Sequence, residues 1–153
     1  AESINIIENR YNKKIEKLKN TLKIKQTCEI NSQLARLFFE LAILNRERES
    51  IKKIFLRESY RYFSEIRKER KLHEQELNTL VRLLLELKLY MNAADIINKE
   101  KREESNVYLF QKAEIWFALG NYAEVRDTCR KIQNSPGPLS DKEQITIDYW
   151  LGE

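Results

Sequence analysis

The sequence predicts an all-α protein built as a stack of antiparallel helix pairs, and three observations carry that expectation. Three Gly and two Pro in 153 residues leave little material for the turns of hairpins and sheets. Charged residues make up 34% of the chain, with Glu, Lys and Arg set among many Leu, the composition of amphipathic helices. The C-terminal half also superposes on itself at a spacing of 32 residues. Leu87, Leu119 and Leu151 share one phase, Leu83, Ile115 and Ile147 a second, and Leu85, Phe117 and Tyr149 a third. Tyr90 pairs with Tyr122 just after the break, and Ala93 with Val125. A period in this range marks units that cannot bury their apolar face alone and must stack on their neighbours.

Residues 3–26 read as one long helix, because Ile4, Ile7, Tyr11, Ile15, Leu18 and Leu22 recur at three- and four-residue steps. Arg10, Lys13, Lys14 and Lys17 fall on its opposite side as a basic patch. Gln26–Asn31 breaks the pattern, and Asn31 or Ser32 is the expected cap of a strongly apolar helix over 32–45. A third helix over 49–70 places Ile51, Ile54, Phe55, Tyr62 and Ile66 along one face. Its last turn carries cations, which the helix dipole favours at a C-terminus.

The repeating part begins near His73. A helix over 74–89 carries Leu77, Leu80, Val81, Leu84, Leu85 and Leu87, and a shorter one over 91–102 carries Ala93, Ala94, Ile96 and Ile97. Helices over 106–119 and 122–133 repeat the two, joined by Gly120-Asn121, residue types that relieve the backbone at a helix end. Ser135-Pro136-Gly137-Pro138 stops the second. Ser140 with Glu143 forms a capping box that opens a last helix running to Leu151. We therefore expect 1–72 as amphipathic helices, degenerate repeats among them, and 73–153 as repeats with an incomplete last unit.

The run Leu109…Ala113…Trp116…Leu119-Gly120-Asn121-Tyr122-Ala123-Glu124-Val125…Cys129…Pro136 resembles a tetratricopeptide repeat, whose helix–turn–helix units are about 34 residues long. The resemblance covers 106–138 best, 74–105 less closely, and then the first helix of a third unit. Val81 stands where a small residue is expected, Val125 where an alanine is, and no proline ends the first unit. The resemblance implies a right-handed α-solenoid whose first helices line a concave groove for a peptide or helix of a protein partner. In that register the groove positions are Asn78, Arg82, Leu85 and Glu86, then Phe110, Glu114, Phe117 and Ala118, then Lys142, Thr146, Tyr149 and Trp150. Leu85, Phe117 and Tyr149 serve equally well as core between units, whereas Phe110 and Trp150 are expected to be exposed. The register lacks the Lys, Asn and Arg set that would grip a C-terminal carboxylate.

Catalysis is not expected. His73 is the only histidine, no nucleophile–base arrangement can be built around it, and there is no glycine-rich phosphate loop. Cys28 and Cys129 are far apart and lack ligand spacing, so neither a metal nor a cofactor is expected, and both read as buried free thiols. A disulfide between them stays open at this point. No run reaches the ~20 apolar residues of a membrane span. A soluble domain follows, with a cytoplasmic setting favoured.

Charge divides unevenly. Residues 1–75 hold 18 Lys/Arg against 11 Asp/Glu, and residues 76–153 hold 10 against 13. The first functional expectation is a protein-interaction scaffold or adaptor within a larger protein or assembly. The second is a regulatory domain of a nucleic-acid-binding protein, with the basic half near the polymer; direct nucleic-acid contact is the less favoured. Ala1-Glu2-Ser3 carries neither an initiator Met nor a signal-peptide pattern, which suggests a cut or processed end. The last helix is apolar around more than half its circumference through Ile145, Ile147, Tyr149, Trp150 and Leu151. A terminal repeat with such an outer face implies either a longer array or self-association through 140–153.

Overall fold

The computed structural model describes residues 3–24 and 27–152, and the described residues form eight helices. The expected extension of the first helix to Gln26 lies outside them, as do Ala1, Glu2 and Glu153. In chain order the helices are α1 (Ile4–Ile24), α2 (Cys28–Leu44), α3 (Glu49–Glu69), α4 (Glu74–Glu86), α5 (Tyr90–Lys99), α6 (Asn106–Ala118), α7 (Tyr122–Gln133) and α8 (Asp141–Leu151). The chain divides into two compact units between Leu83 and Leu84, and within each unit the packed neighbouring helices run antiparallel.

In the first unit α1 packs on α2, and α2 on α3. α2 starts earlier than its apolar run suggests. Thr27 is its cap, with Oγ1 accepting from the Ile30 amide at 3.2 Å. Asn31 and Ser32 therefore lie inside the helix, and Asn31 is buried. At the other end Asn45 closes α2, its Nδ2 donating to the Leu41 carbonyl at 2.8 Å. Leu34 and Leu41 meet Leu56, Phe63 and Ile66 in the fully covered core, where Phe38 stacks on Tyr62 at 5.7 Å between centroids. The Ser59 hydroxyl donates to the Ala35 carbonyl at 2.6 Å across the helix pair.

The face of α3 differs from expectation. Tyr62 and Ile66 are buried and Phe55 half-buried, but Ile51 and Ile54 are exposed, the latter by 58%. The buried stripe instead runs through Lys52, Leu56, Ser59, Phe63 and Ile66. Two of these positions are polar, which hides the stripe in the sequence. Ser59 satisfies its hydroxyl on a backbone carbonyl, and Lys52 buries its stem while its Nζ stays 3.5 Å from Glu49.

The α3–α4 connection is held by a buried carboxylate. Glu76, in the first turn of α4, accepts two bonds from the Arg70 guanidinium at 2.8 and 3.0 Å and one from the His73 amide at 2.7 Å. Burial alone would raise its pKa. The hydrogen bonds from Arg70, the Ser32 hydroxyl and the His73 amide, with the charge of Arg70, overcome that and hold it down to about 2.

In the second unit α5 packs on α6, α6 on α7, and α7 on α8. Leu109, Val125, Cys129, Ile132 and Ile147 form its core, with Phe110, Trp116, Phe117, Leu139, Trp150 and Leu151 packed against it. Both thiols are free. Cys129 is buried, and burial pushes its pKa up, whereas Cys28 in the first unit is only half-buried, at the first turn of α2. Ser140 and Glu143 exchange both capping-box bonds at 2.9 and 3.1 Å.

Helix ends in this unit share one backbone device. Lys88, Gly120 and Gly152, spaced like the sequence repeat, all adopt left-handed φ, at 58°, 79° and 77°. After α4 the Leu89 amide donates to the Leu84 carbonyl at 2.9 Å and Lys88 to Leu85 at 3.0 Å. After α6 the Asn121 amide donates to Trp116 at 2.9 Å and Gly120 to Phe117 at 3.1 Å. These are Schellman closures, which satisfy the last carbonyls while reversing the chain. They also shorten α4 to Glu86, ahead of the expected 89. α5 likewise stops at Lys99 rather than 102, because Glu100 turns extended where the apolar positions end.

Lysine tolerates this conformation poorly, so Lys88→Gly is expected to stabilise the fold by about 1 kcal/mol and Gly120→Ala to destabilise it by a similar amount. A β-carbon at Gly120 would meet nothing within 4 Å, so the second effect is purely conformational. Urea unfolding of the two variants checks both signs. The depressed pKa of Glu76 makes a second prediction. Its contribution is full above pH 4.5, the unshifted value, and is lost as pH falls towards 2. That contribution is about 3 kcal/mol for a shift of this size. Glu76→Gln should remove this part of the acid sensitivity, measured as unfolding free energy against pH.

Candidate functional site

α6 sets the site, because Phe110, Glu114 and Phe117 lie at steps of four and three residues and so share one face. α8 brings two rings to them. Trp150 packs on Phe110 at 5.9 Å between centroids, and Tyr149 on Phe117 at 5.4 Å. The end of α4 brings Glu86, whose charge acts on Glu114. Six of the residues singled out in the sequence therefore belong to one face of the second unit. Leu85 is half-buried in the same unit, Ala118 is exposed, and Lys142 and Thr146 lie on α8, Lys142 exposed and Thr146 half-buried.

The degree of cover separates them. Tyr149 is 68% exposed, and its neighbour one turn back, Ile145, 67%. Phe117 is half-buried and packs on the core from above. Phe110 and Trp150, expected to be exposed, are both half-buried. Each uses the other as its cover, and both rest on the core formed by Leu109 and Ile147. The sequence reading missed Tyr122. Its ring meets Phe117 edge-on at 5.7 Å and is 54% exposed. Its recurrence with Tyr90 could have pointed to it, but that recurrence also suits a helix start.

Glu114 is the carboxylate that α6 contributes to this face. Loss of hydration first, and the charge of Glu86 second, raise its pKa. Its side chain still reaches solvent, and no cation among the described residues pairs with it. The remaining groove positions, Asn78 and Arg82, belong to the first unit. Asn78 is half-buried, and the Arg82 guanidinium lies 5.1 Å from the centre of the Phe39 ring. That unit also carries a cleft of about 130 Å³ beside Arg36, Gln75 and Thr79, with Glu76 at its wall. Glu76 is already committed there to Arg70 and His73.

The basic patch of α1 is on the surface: Arg10, Lys13, Lys14 and Lys17 are all exposed, opposite the buried Ile15. His73 is exposed, and its backbone amide is the group that bonds to Glu76. Among the described residues no three His, Cys, Asp or Glu side chains gather at metal-binding range. No helix among them is long and apolar enough to cross a membrane. No protein-family model, curated protein or solved structure matches this chain.

Proposed function

We propose that this chain is a non-catalytic interaction scaffold of the tetratricopeptide type. It acts as an adaptor, holding a peptide or helix of a protein partner on the face of the second unit built by α6 and α8. The observation that carries the reading is the pair of interhelix ring contacts, Phe110 with Trp150 and Phe117 with Tyr149, in which Tyr149 is left open to solvent. Rigid aromatic side chains held by neighbours and exposed on one edge are the usual anchors of protein recognition, because little rotamer freedom is lost on binding. The left-handed residues at 88, 120 and 152 further support a repeat, since they place equivalent breaks at the sequence period.

Peptides selected from a random library on the whole chain should compete for one site. Tyr149→Ala should weaken them by about tenfold or more, since a central aromatic anchor is worth roughly 2 kcal/mol. Tyr149 is exposed enough for the variant to stay folded, which circular dichroism checks. Selected peptides indifferent to Tyr149→Ala would sink the reading. The open side chains Ile145 and Tyr149 would equally mediate self-association through 140–153, seen as concentration-dependent sedimentation. The basic face of α1 supports a lesser reading, a domain working beside nucleic acid. A gel shift that weakens with salt and is lost on Lys13→Glu with Lys17→Glu is its expected signature. No shift at low salt rejects it.

A further inference from the structure

The first unit carries a surface that its core does not explain. Among the described residues it exposes four large apolar side chains, Ile4, Ile6, Ile51 and Ile54. Ile4 and Ile6 sit in the first turn of α1, and Ile51 and Ile54 in the first two turns of α3. Because α1 and α3 each run antiparallel to α2, both N-terminal ends lie at the C-terminal end of α2. The half-buried Ile7, Ile43 and Leu44 belong to the same end. The topology therefore gathers all four open isoleucines at one end of the unit.

That end is also basic. Residues 4–14 and 43–57 hold eight Lys/Arg against three Asp/Glu, an excess greater than the +4 of the whole chain. Lys13, Lys14, Arg46, Arg48, Lys53 and Arg57 are exposed there. Along α1 the two characters share one line. Ile6, Arg10, Lys13 and Lys17 follow one another at steps of four, three and four residues, and all are exposed. Glu8 and Glu16 fall off that line.

One class of partner meets both characters. Nucleic acid answers the cations, but its bases stack on aromatic faces and offer branched aliphatic side chains little. A protein partner is gripped chiefly by aromatic and arginine anchors in packed pockets. Among the described residues no open ring lies at this end, since Tyr11 and Phe55 are half-buried. An anionic lipid surface accepts the combination without any matching shape. Aliphatic side chains enter the boundary between headgroups and acyl chains, while Lys and Arg stay level with the phosphates.

We propose that the first unit docks on anionic membranes through this end. Ile4, Ile6, Ile51 and Ile54 enter the interface, and Lys13, Lys14, Arg48 and Lys53 meet the headgroups. The inference is independent of the scaffold reading, which rests on the second unit.

The test is co-sedimentation of the whole chain with vesicles of phosphatidylcholine alone, or of phosphatidylcholine mixed with phosphatidylserine. The chain should pellet with the mixed vesicles and not with phosphatidylcholine alone, and salt should weaken the binding. Ile6→Ser with Ile54→Ser should weaken it by about tenfold, since apolar side chains leave the interface with no change in charge. Both sites are exposed, so circular dichroism should show this variant folded. Lys13→Glu with Lys53→Glu should weaken binding at least as much. No binding to the mixed vesicles at low salt would overturn the proposal, as would equal binding to phosphatidylcholine alone. Binding that the isoleucine variant leaves untouched would also overturn it, because it marks plain attraction of a basic surface to any polyanion. A gel shift with double-stranded nucleic acid, lost on Lys13→Glu with Lys53→Glu, would in that case assign this end to nucleic acid.

Discussion

Chain reversal through a single left-handed residue is the constraint on which the second unit depends. Helices as short as α4 and α6 are marginal alone, so their stability comes from packing. Packing requires that each helix turn back on the one before it. The Schellman closures after α4 and α6 do this in very few residues, satisfying the last carbonyls as they do so. Only with the reversal in place can Ile115, Val125 and Ile147 come to full burial. Lys88 shows how strong the requirement is. A lysine sits in a conformation that its β-carbon disfavours, because the hydrogen bonds and the contacts beyond it outweigh the local preference.

The first unit is held by other means. Its longest seam, between α2 and α3, has polar groups inside it, and two of them hydrogen-bond to nearby backbone carbonyls. Ser59 bonds across the pair to Ala35, and Asn45 bonds back to Leu41. Glu76 gathers Arg70 and the His73 amide where α3 gives way to α4. A buried carboxylate with that many donors is far better as an anion than as a neutral acid, so the same arrangement that fixes the turn makes it acid-sensitive. The charge imbalance of the sequence becomes local in this way: some cations of the basic half are used inside the fold, and the rest form the wet face of α1.

The candidate face owes its character to incomplete cover. Phe110 and Trp150 cover each other, and Phe117 rests on the core, so neither ring pair is loose. Tyr149 and Tyr122 extend the cluster outwards without anything over them. Glu114, exposed on the same side of α6, has no cation paired with it among the described residues.

The sequence by itself determined the order of the helices among the described residues and many of their ends, though not the start of α2 or the ends of α4 and α5. α3 and α7 fall where periodicity places them, and α8 opens on the capping box read at Ser140 and Glu143, because caps, glycines and breaks act within a few residues. Helical spacing likewise puts Phe110, Glu114 and Phe117 on one side of α6. Three things were decided only by the tertiary structure. The buried side of α3 was hidden behind Lys52 and Ser59, because a polar residue becomes a core residue only when a neighbouring carbonyl or a covered stem accepts it. The cover of Phe110 and Trp150 depended on their finding each other across two helices. The openness of Tyr122 and Tyr149 depended on where that cover ends. Local hydrogen bonding sets the ends of a helix, but the side of a broad apolar helix that meets solvent is chosen by its neighbours.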